Sequence, residues 1–321
     1  MKIYRGLESI PPDFAPSALT IGNFDGVHYG HRRILRRVRE AGGEHGWKPS
    51  VLTFDPHPTR VVAPDRAPLL MTSPDRRAEL MAEEGIEQVV ILPFTKEVSL
   101  LTPRDFVEQI VVGRLGARAV LVGDNFRFGH KHSGDVALLR ELGAELGFET
   151  EIVPAVTCRG HIVSSSGIRE LILSGRVSLA ARYLRHPYGV EGDVVGGRGV
   201  GSRETVPTLN LATAAEIIPA RGVYITLTSD PDGRHWNSIT NIGYRPTFGD
   251  SEERTIETFL LEPLEGETPR HIRVEFLCRV RDERKFASPA ELKQQILRDV
   301  RAAREYFRRS REWTRRPLAP A

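Results

Sequence analysis

The chain has 321 residues, enough for two domains of ordinary size. Hydrophobic residues make up 40% and charged residues 27%, as in a globular protein, and 45 basic against 42 acidic residues leave a net charge of +3, too balanced for a dedicated nucleic-acid binder. The two cysteines, Cys158 and Cys278, are far apart and argue against a disulfide framework or a zinc site; with no apolar leader after Met1 and no run of membrane-spanning length, the expected setting is cytoplasmic, with no membrane partner.

Ala18 to Ile21 is a short apolar run that reads as a buried strand ending at Gly22. Gly22, Gly26 and Gly30 then allow a tight turn, and Ile34, Leu35, Val38 and Ala41 follow at helical spacing. His28 and His31 sit three apart where this loop becomes helix. Unpaired N–H groups and the helix dipole favour an anion at such a place, and two imidazoles can donate to phosphate oxygens without a metal. A histidine there is also, taken singly, an ordinary cap or surface residue.

Ser50 to Phe54 reads as a second strand, stopped by Asp55-Pro-His-Pro58. Ser73 to Glu84 is helical, with Ser73 as cap; Gln88 to Leu92 is a strand; Thr102-Pro103 opens a helix to about Leu115. Ala119 to Val122 is a strand, Asp135 to Leu146 a helix and Glu149 to Val153 a strand. Alternating strands and helices predict a parallel sheet covered on both faces, with ligands beyond the carboxyl ends of its strands. Four segments fall at those ends: the histidine loop; Asp55 to His57; Gly123-Asp-Asn-Phe-Arg-Phe-Gly129; and Ser164-Ser-Ser-Gly-Ile-Arg169. The last opens a helix that Ser165 or Ser166 caps, with Arg169 in its first turn. Phe126 and Phe128 read most simply as core.

Gly175 to Leu184 reads as the last helix of the first domain, and Pro187, Gly189 and Gly192 break the pattern, so the boundary falls near residue 186. The expected division is 1–185, 186–312 and a tail at 313–321. Gly196-Gly-Arg-Gly-Val-Gly201 is no Walker A loop, since no Gly-Lys-Ser/Thr follows; a hairpin loop and a phosphate loop both fit. In Pro207-Thr-Leu-Asn-Leu211, Thr208 and Asn210 share one strand face, as neutral ligands for nucleotide-borne magnesium or as two polar residues on a wet face. Arg221 to Thr226, Ser238 to Ile242, Thr255 to Leu261 and His271 to Val280 are strands of an all-β barrel or sandwich. Glu257 is a carboxylate in an apolar strand, either paired at the surface or a general base. Pro289 to Phe307 closes the chain as a helix with Leu292, Ile296, Val300 and Phe307 on one stripe. Arg298, Arg301, Arg304, Arg308 and Arg309 form a solvated face interleaved with Asp299 and Glu305.

The Gly-x-Phe-Asp-Gly-x-His-x-Gly-His run, Thr53-Phe-Asp-Pro-His-Pro58, Val122 to Gly129 and Ser164 to Arg169 resemble, in order, the motifs of the adenylyltransferase half of bacterial bifunctional riboflavin kinase/FAD synthetases. The glycine-rich loop, Pro-Thr-x-Asn, Gly222-Val-Tyr224, Asn241 to Thr247 and Ile256-Glu-Thr-Phe-Leu260 resemble the riboflavin kinase half. The resemblance implies an α/β nucleotidylyltransferase (Rossmann-like) domain, then a six-stranded β-barrel with a C-terminal helix. It implies that His28, His31, Ser166 and Arg169 handle ATP phosphates; that Gly22, Asn23 and Asn125 position ligand; and that Phe54, Pro56 and His57 lie near the flavin. In the second half it implies nucleotide contact by Gly197, Gly199 and Gly201, magnesium at Thr208 and Asn210, and Glu257 as base. Riboflavin, FMN, ATP and FAD are the implied substrates and products. Three departures stand out: Thr205-Val206 where Gly-Phe is usual, Gly196 where a histidine is common, and no Tyr-Gly around Gly266 to Arg270. A single-activity nucleotidylyltransferase with a degenerate second domain, and a non-catalytic RNA-binding regulator, are the alternatives.

Overall fold

The computed structural model describes residues 1–158, 160–196, 208–246, 252–284 and 286–314. The chain divides into two units, Met1–Gly167 and Ile168–Ala321.

In the first unit six strands form one sheet: β1 (Lys2–Arg5), β2 (Ser17–Ile21), β3 (Lys48–Asp55), β4 (Gln88–Pro93), β5 (Ala117–Gly123) and β6 (Glu149–Val153). The order is β1-β4-β3-β2-β5-β6 and every pairing is parallel. The strand β1 has no counterpart among the sequence-based expectations: it is a short edge element in which only Tyr4 is buried. Both faces of the sheet are covered. Leu19, Leu52, Val90 and Val120 pack with Phe106, Val107, Ile110 and Leu139 on one side. Ala18, Val51, Val89 and Leu121 pack with Leu35, Val38, Leu80 and Met81 on the other. Two-sided burial is why these strands read as unbroken apolar runs rather than as alternations.

After β2 the chain moves outward through β3 to β4, and later returns to the other side of β2 with β5 and β6. The crevice beside β2 is therefore the topological switch point, where open α/β sheets receive ligands. The expected helix from Thr102 is wound in two ways. Thr102 caps an α turn at Pro103–Asp105, and the winding then widens to a π-helix over Phe106–Val112.

The second unit holds a closed barrel of six antiparallel strands: Tyr188–Val195, Thr208–Ala212, Gly222–Ser229, His235–Pro246, Glu252–Leu260 and His271–Arg281, here βA to βF in chain order. Its order around the wall is βB-βE-βD-βC-βF-βA. The helix Val177–Leu184 packs on βF and βA. Apolar side chains of βA, βB and βF fill one side of the interior. Across βC, βD and βE the interior carries a ladder of buried hydroxyls. Thr226 and Thr228 meet Ser238 at 2.7 Å, Thr226 meets Thr240 at 2.8 Å, and Thr240 meets Thr258 at 3.0 Å. Each hydroxyl has a partner, so the network carries no desolvation penalty for an unmade bond.

The helix Pro289–Thr314 lies on the outer wall of the barrel, with Ala303 fully buried and Val300, Tyr306 and Phe307 packed beside Val223, Ile225 and Ile239. Two expectations about this helix need correction. Leu292 and Ile296 are 42% and 40% exposed, because they overhang a cavity instead of a closed core. Asp299 is not on the arginine face; it is 5% exposed and turned to the barrel, where Arg281 receives it. Glu305 does pair with Arg308 and Arg309, as a solvated face requires.

Candidate active sites

Beyond β2 the loop Gly22–His28 turns sharply. Phe24 (φ 50°) and Val27 (φ 38°) adopt left-handed conformations that cost a non-glycine residue energy, most of all a β-branched one. The surroundings hold them there. Asp25, 2% exposed, accepts the Met71 N–H at 3.0 Å and the N–H and hydroxyl of Thr72, each at 3.1 Å. Thr72 in turn accepts the Gly26 N–H at 3.0 Å, and the Ser165 hydroxyl donates to the Asp25 carbonyl at 3.3 Å. From the helix Pro74–Glu83, Arg77 donates to the Asn23 carbonyl at 2.7 Å.

This clamp delivers His28 to the start of the helix Tyr29–His45. Its Nδ1 caps that helix by accepting the His31 N–H at 3.3 Å. In a neutral ring this leaves the proton on Nε2, a donor for an anion. The rings of His28 and His31 stack at 3.6 Å, and Phe24 meets His31 edge-on at 5.0 Å. His31 as a residue is half-buried, but its Nδ1 is buried and, among the described residues, has no hydrogen-bond partner. Burial first, then His28 and Arg77, push the His31 pKa well below its ordinary value, so His31 is neutral at pH 7. A buried polar nitrogen without a partner, beside a donor-bearing helix start, fits an incoming phosphate oxygen.

Asn23 Nδ2 lies 3.0 Å from His57 Nε2, joining the loop after β2 to that after β3. The Asp55–Pro56 peptide is cis, Pro56 is exposed, and His57 Nδ1 accepts the Thr59 N–H at 3.2 Å. Phe54 is buried against Phe94 in the core. Gly22 donates its N–H to Leu52, and Asn125 is exposed in the turn after β5. Phe128 is core, stacked on Phe126. The helix Ser165–Leu173 is capped by neither residue expected from the sequence. Because it begins at Ser165, the cap is Ser164, whose hydroxyl accepts the Gly167 N–H at 3.3 Å, and Arg169 falls at the start of the second turn. Ser166 is exposed beside it. Arg77, Asp25 and Thr72 were not singled out from the sequence; the one available signal was a second arginine on the apolar face of a helix.

In the second unit Thr208, Asn210, Glu257 and Asn241 share the outer face of the wall. Glu257 is in register with Asn210 on one side and Asn241 on the other, and Thr208 is in register with Phe259. The period of two puts these residues opposite the interior Leu209, Ile256 and Thr258. Thr208, Glu257 and Asn241 line a cavity of about 360 Å³ that Leu292, Ile296 and Val300 of the C-terminal helix also line, and Asn210 lies beside it on the same strand face as Thr208. Arg281 clasps the Asp299 carboxylate with Nε and Nη2, at 3.1 and 2.8 Å, and Gln295 donates to the same carboxylate at 2.7 Å. The glycine-rich loop with Gly197, Gly199 and Gly201 lies outside the described residues.

The chain thus carries two separate candidate sites, a histidine-bearing switch-point loop in one unit and a carboxylate beside a threonine and two asparagines in the next, as a two-site transferase requires. The FAD synthetase family model matches residues 10–167 and the riboflavin kinase model residues 184–307. Bifunctional riboflavin kinase/FMN adenylyltransferase of Escherichia coli K12 is 34% identical over 96% of this chain and 98% of its own length. That of Pseudomonas fluorescens is 35% identical over 95% and 97%. A crystal structure from Streptococcus pneumoniae, described as a macrolide-efflux protein, matches with a TM-score of 0.84 at 25% identity, over 95% of this chain and 99% of that one. Among the described residues no helix is long and apolar enough to cross a membrane. The chain belongs to the bifunctional riboflavin kinase/FMN adenylyltransferase family.

Proposed function

We propose that the second unit phosphorylates riboflavin with ATP, giving FMN and ADP, and that the first unit adenylylates FMN with a second ATP, giving FAD and pyrophosphate. The observation that carries the reading is the difference between the two sites. The first offers imidazoles and a helix start, with the Asp25 carboxylate of its loop committed to the Met71 and Thr72 N–H groups; the second sets a carboxylate between two asparagines over a cavity.

That difference follows the chemistry. The nucleophile in adenylyl transfer is a phosphate oxygen of FMN, already ionised at neutral pH. The site's work is alignment and charge stabilisation at the α-phosphate and the departing pyrophosphate. His28 Nε2–H and the N–H groups at the helix start supply donors, and Ser166 and Arg169 act on the same phosphates. Asn23 and Asn125 position ligand, and Pro56 and His57 border the flavin. Phe54 serves from the core, by holding that loop.

Riboflavin presents a primary alcohol, which must lose its proton as it attacks the γ-phosphate. Glu257 takes that proton. Thr208 and Asn210, neutral oxygen donors on the same face, fit magnesium carried by the nucleotide phosphates. The ion would offset charge on the transferred group. The apolar wall of Leu292, Ile296 and Phe259 suits a flat aromatic ring. Chromatography of products, with riboflavin and FMN offered separately alongside ATP and magnesium, tests the reading. FMN and FAD are expected from riboflavin, and FAD from FMN. FAD from FMN with no FMN from riboflavin would restore the single-activity alternative.

A further inference from the structure

We infer that Arg77 is a positioning residue of the adenylyl-transfer site, a buried guanidinium that ties the loop carrying His28 to the loop carrying His57 and supplies a fixed positive charge beneath both. The inference rests on the reading of the first unit as the adenylyltransferase.

Arg77 is 1% exposed. Its Nη1 donates to the Asn23 carbonyl at 2.7 Å and to the Thr53 hydroxyl at 3.3 Å, and its Nη2 donates to the Phe54 carbonyl at 3.4 Å. Asn23 belongs to the loop after β2, and Thr53 and Phe54 end β3. One rigid fork thus joins the carboxyl ends of two neighbouring strands, β2 and β3, on one side of the switch point. Its neighbour Arg76 makes a surface ion pair with Glu79. Arg77 makes no ion pair among the described residues, and its Nε has no partner. The Asp25 carboxylate is committed to the Met71 and Thr72 N–H groups, and Asp25 and Asp55 act on Arg77 only through their field.

A buried cation without a contacting counter-charge is costly, and a strut that only joined two carbonyls could be neutral. An arginine always carries its charge, and this one's field reaches His31. The same field favours any anion that settles on the imidazoles. A cation fixed before the ligand arrives, with no carboxylate in contact, is the arrangement that stabilises charge developing on phosphate oxygens.

The test uses the full chain with Arg77→Gln and Arg77→Lys. Gln removes the charge; Lys keeps it but lacks the fork. For Arg77→Gln, kcat for FAD formation from FMN is expected to fall about 100-fold, while FMN formation from riboflavin stays within twofold. For Arg77→Lys the expected loss in kcat is about tenfold. The His31 Hε1 resonance, assigned by its absence in His31→Asn, should titrate at higher pH in Arg77→Gln and as in wild type in Arg77→Lys. An Arg77→Gln chain within threefold of wild type, or an Arg77→Lys chain equal to it, overturns the inference. So does loss of FAD formation in both variants with the His31 titration unmoved, which is what a purely structural strut would give. A wild-type chain that makes FMN but no FAD overturns the functional reading of the first unit itself. If Arg77→Gln does not fold, Arg77→Lys decides.

Discussion

The ring of His28 lies parallel to that of His31, with 3.6 Å between centroids, and the Nδ1 of the first accepts the backbone N–H of the second. Burial, the neighbouring His28 and the field of Arg77 together push the His31 pKa well below its ordinary value.

Replacing either imidazole should therefore act on one activity only. His28→Ala and His31→Ala are each expected to lower FAD formation about 10² to 10³-fold, the range for removing one preorganised donor. FMN formation should stay at the wild-type rate. The double variant should lose little more than the worse single one, because the two rings act as a unit. Steady-state assays of the two half-reactions check this.

His31 also makes stability depend on pH. Its folded pKa lies well below the unfolded value near 6.5. Between those values the unfolded chain binds a proton that the folded chain does not, so stability rises with pH there. The contribution is fully present above about pH 6.5 and is lost as pH falls toward the folded pKa. Urea midpoints of the wild type should drop between pH 7 and pH 5, and by less in His31→Asn.

Glu257→Gln keeps the shape of the side chain and removes the proton acceptor. Loss of a general base is expected to slow phosphorylation of riboflavin about 10² to 10⁴-fold, with FAD formation from supplied FMN unchanged. Equal loss of both activities in a folded variant would contradict the division of labour.

Asp25 has no role in bond making, yet its replacement should be severe. Asp25→Ala leaves the Met71 and Thr72 N–H groups unmet in a buried place and frees a loop held in left-handed backbone at Phe24 and Val27. The expected cost is about 2 kcal/mol, the range for hydrogen bonds to a charged group. Asp25→Asn, which keeps one acceptor, should cost about half of that. Thermal melts report the stability, and FAD formation should fall more in the alanine variant.

The alternation of apolar strands and helices carried the first unit, and the motif order along the chain carried the family. Edge strand β1 was not legible, since four residues with one buried side chain make no pattern. The C-terminal helix was misread at Asp299 because helical spacing cannot tell a solvated carboxylate from one matched by an arginine on another strand. Leu292 and Ile296 looked like core by the same spacing, and only the cavity shows why half their surface stays open. Arg77 showed only as an arginine on the apolar face of a helix, because its partners, two backbone carbonyls and the Thr53 hydroxyl, are distant in the chain and leave no charge pattern.

The hydroxyls lining the barrel bear on the kinase site without touching it. Slide βE by one residue against βD and Thr258 turns toward solvent, while Glu257 is driven into the barrel interior. Thr240 then loses its Thr258 partner, and a carboxylate takes the buried place of a hydroxyl. Five small alcohols thus proofread the alignment of three strands, and with it the side of the wall on which a proton acceptor is displayed.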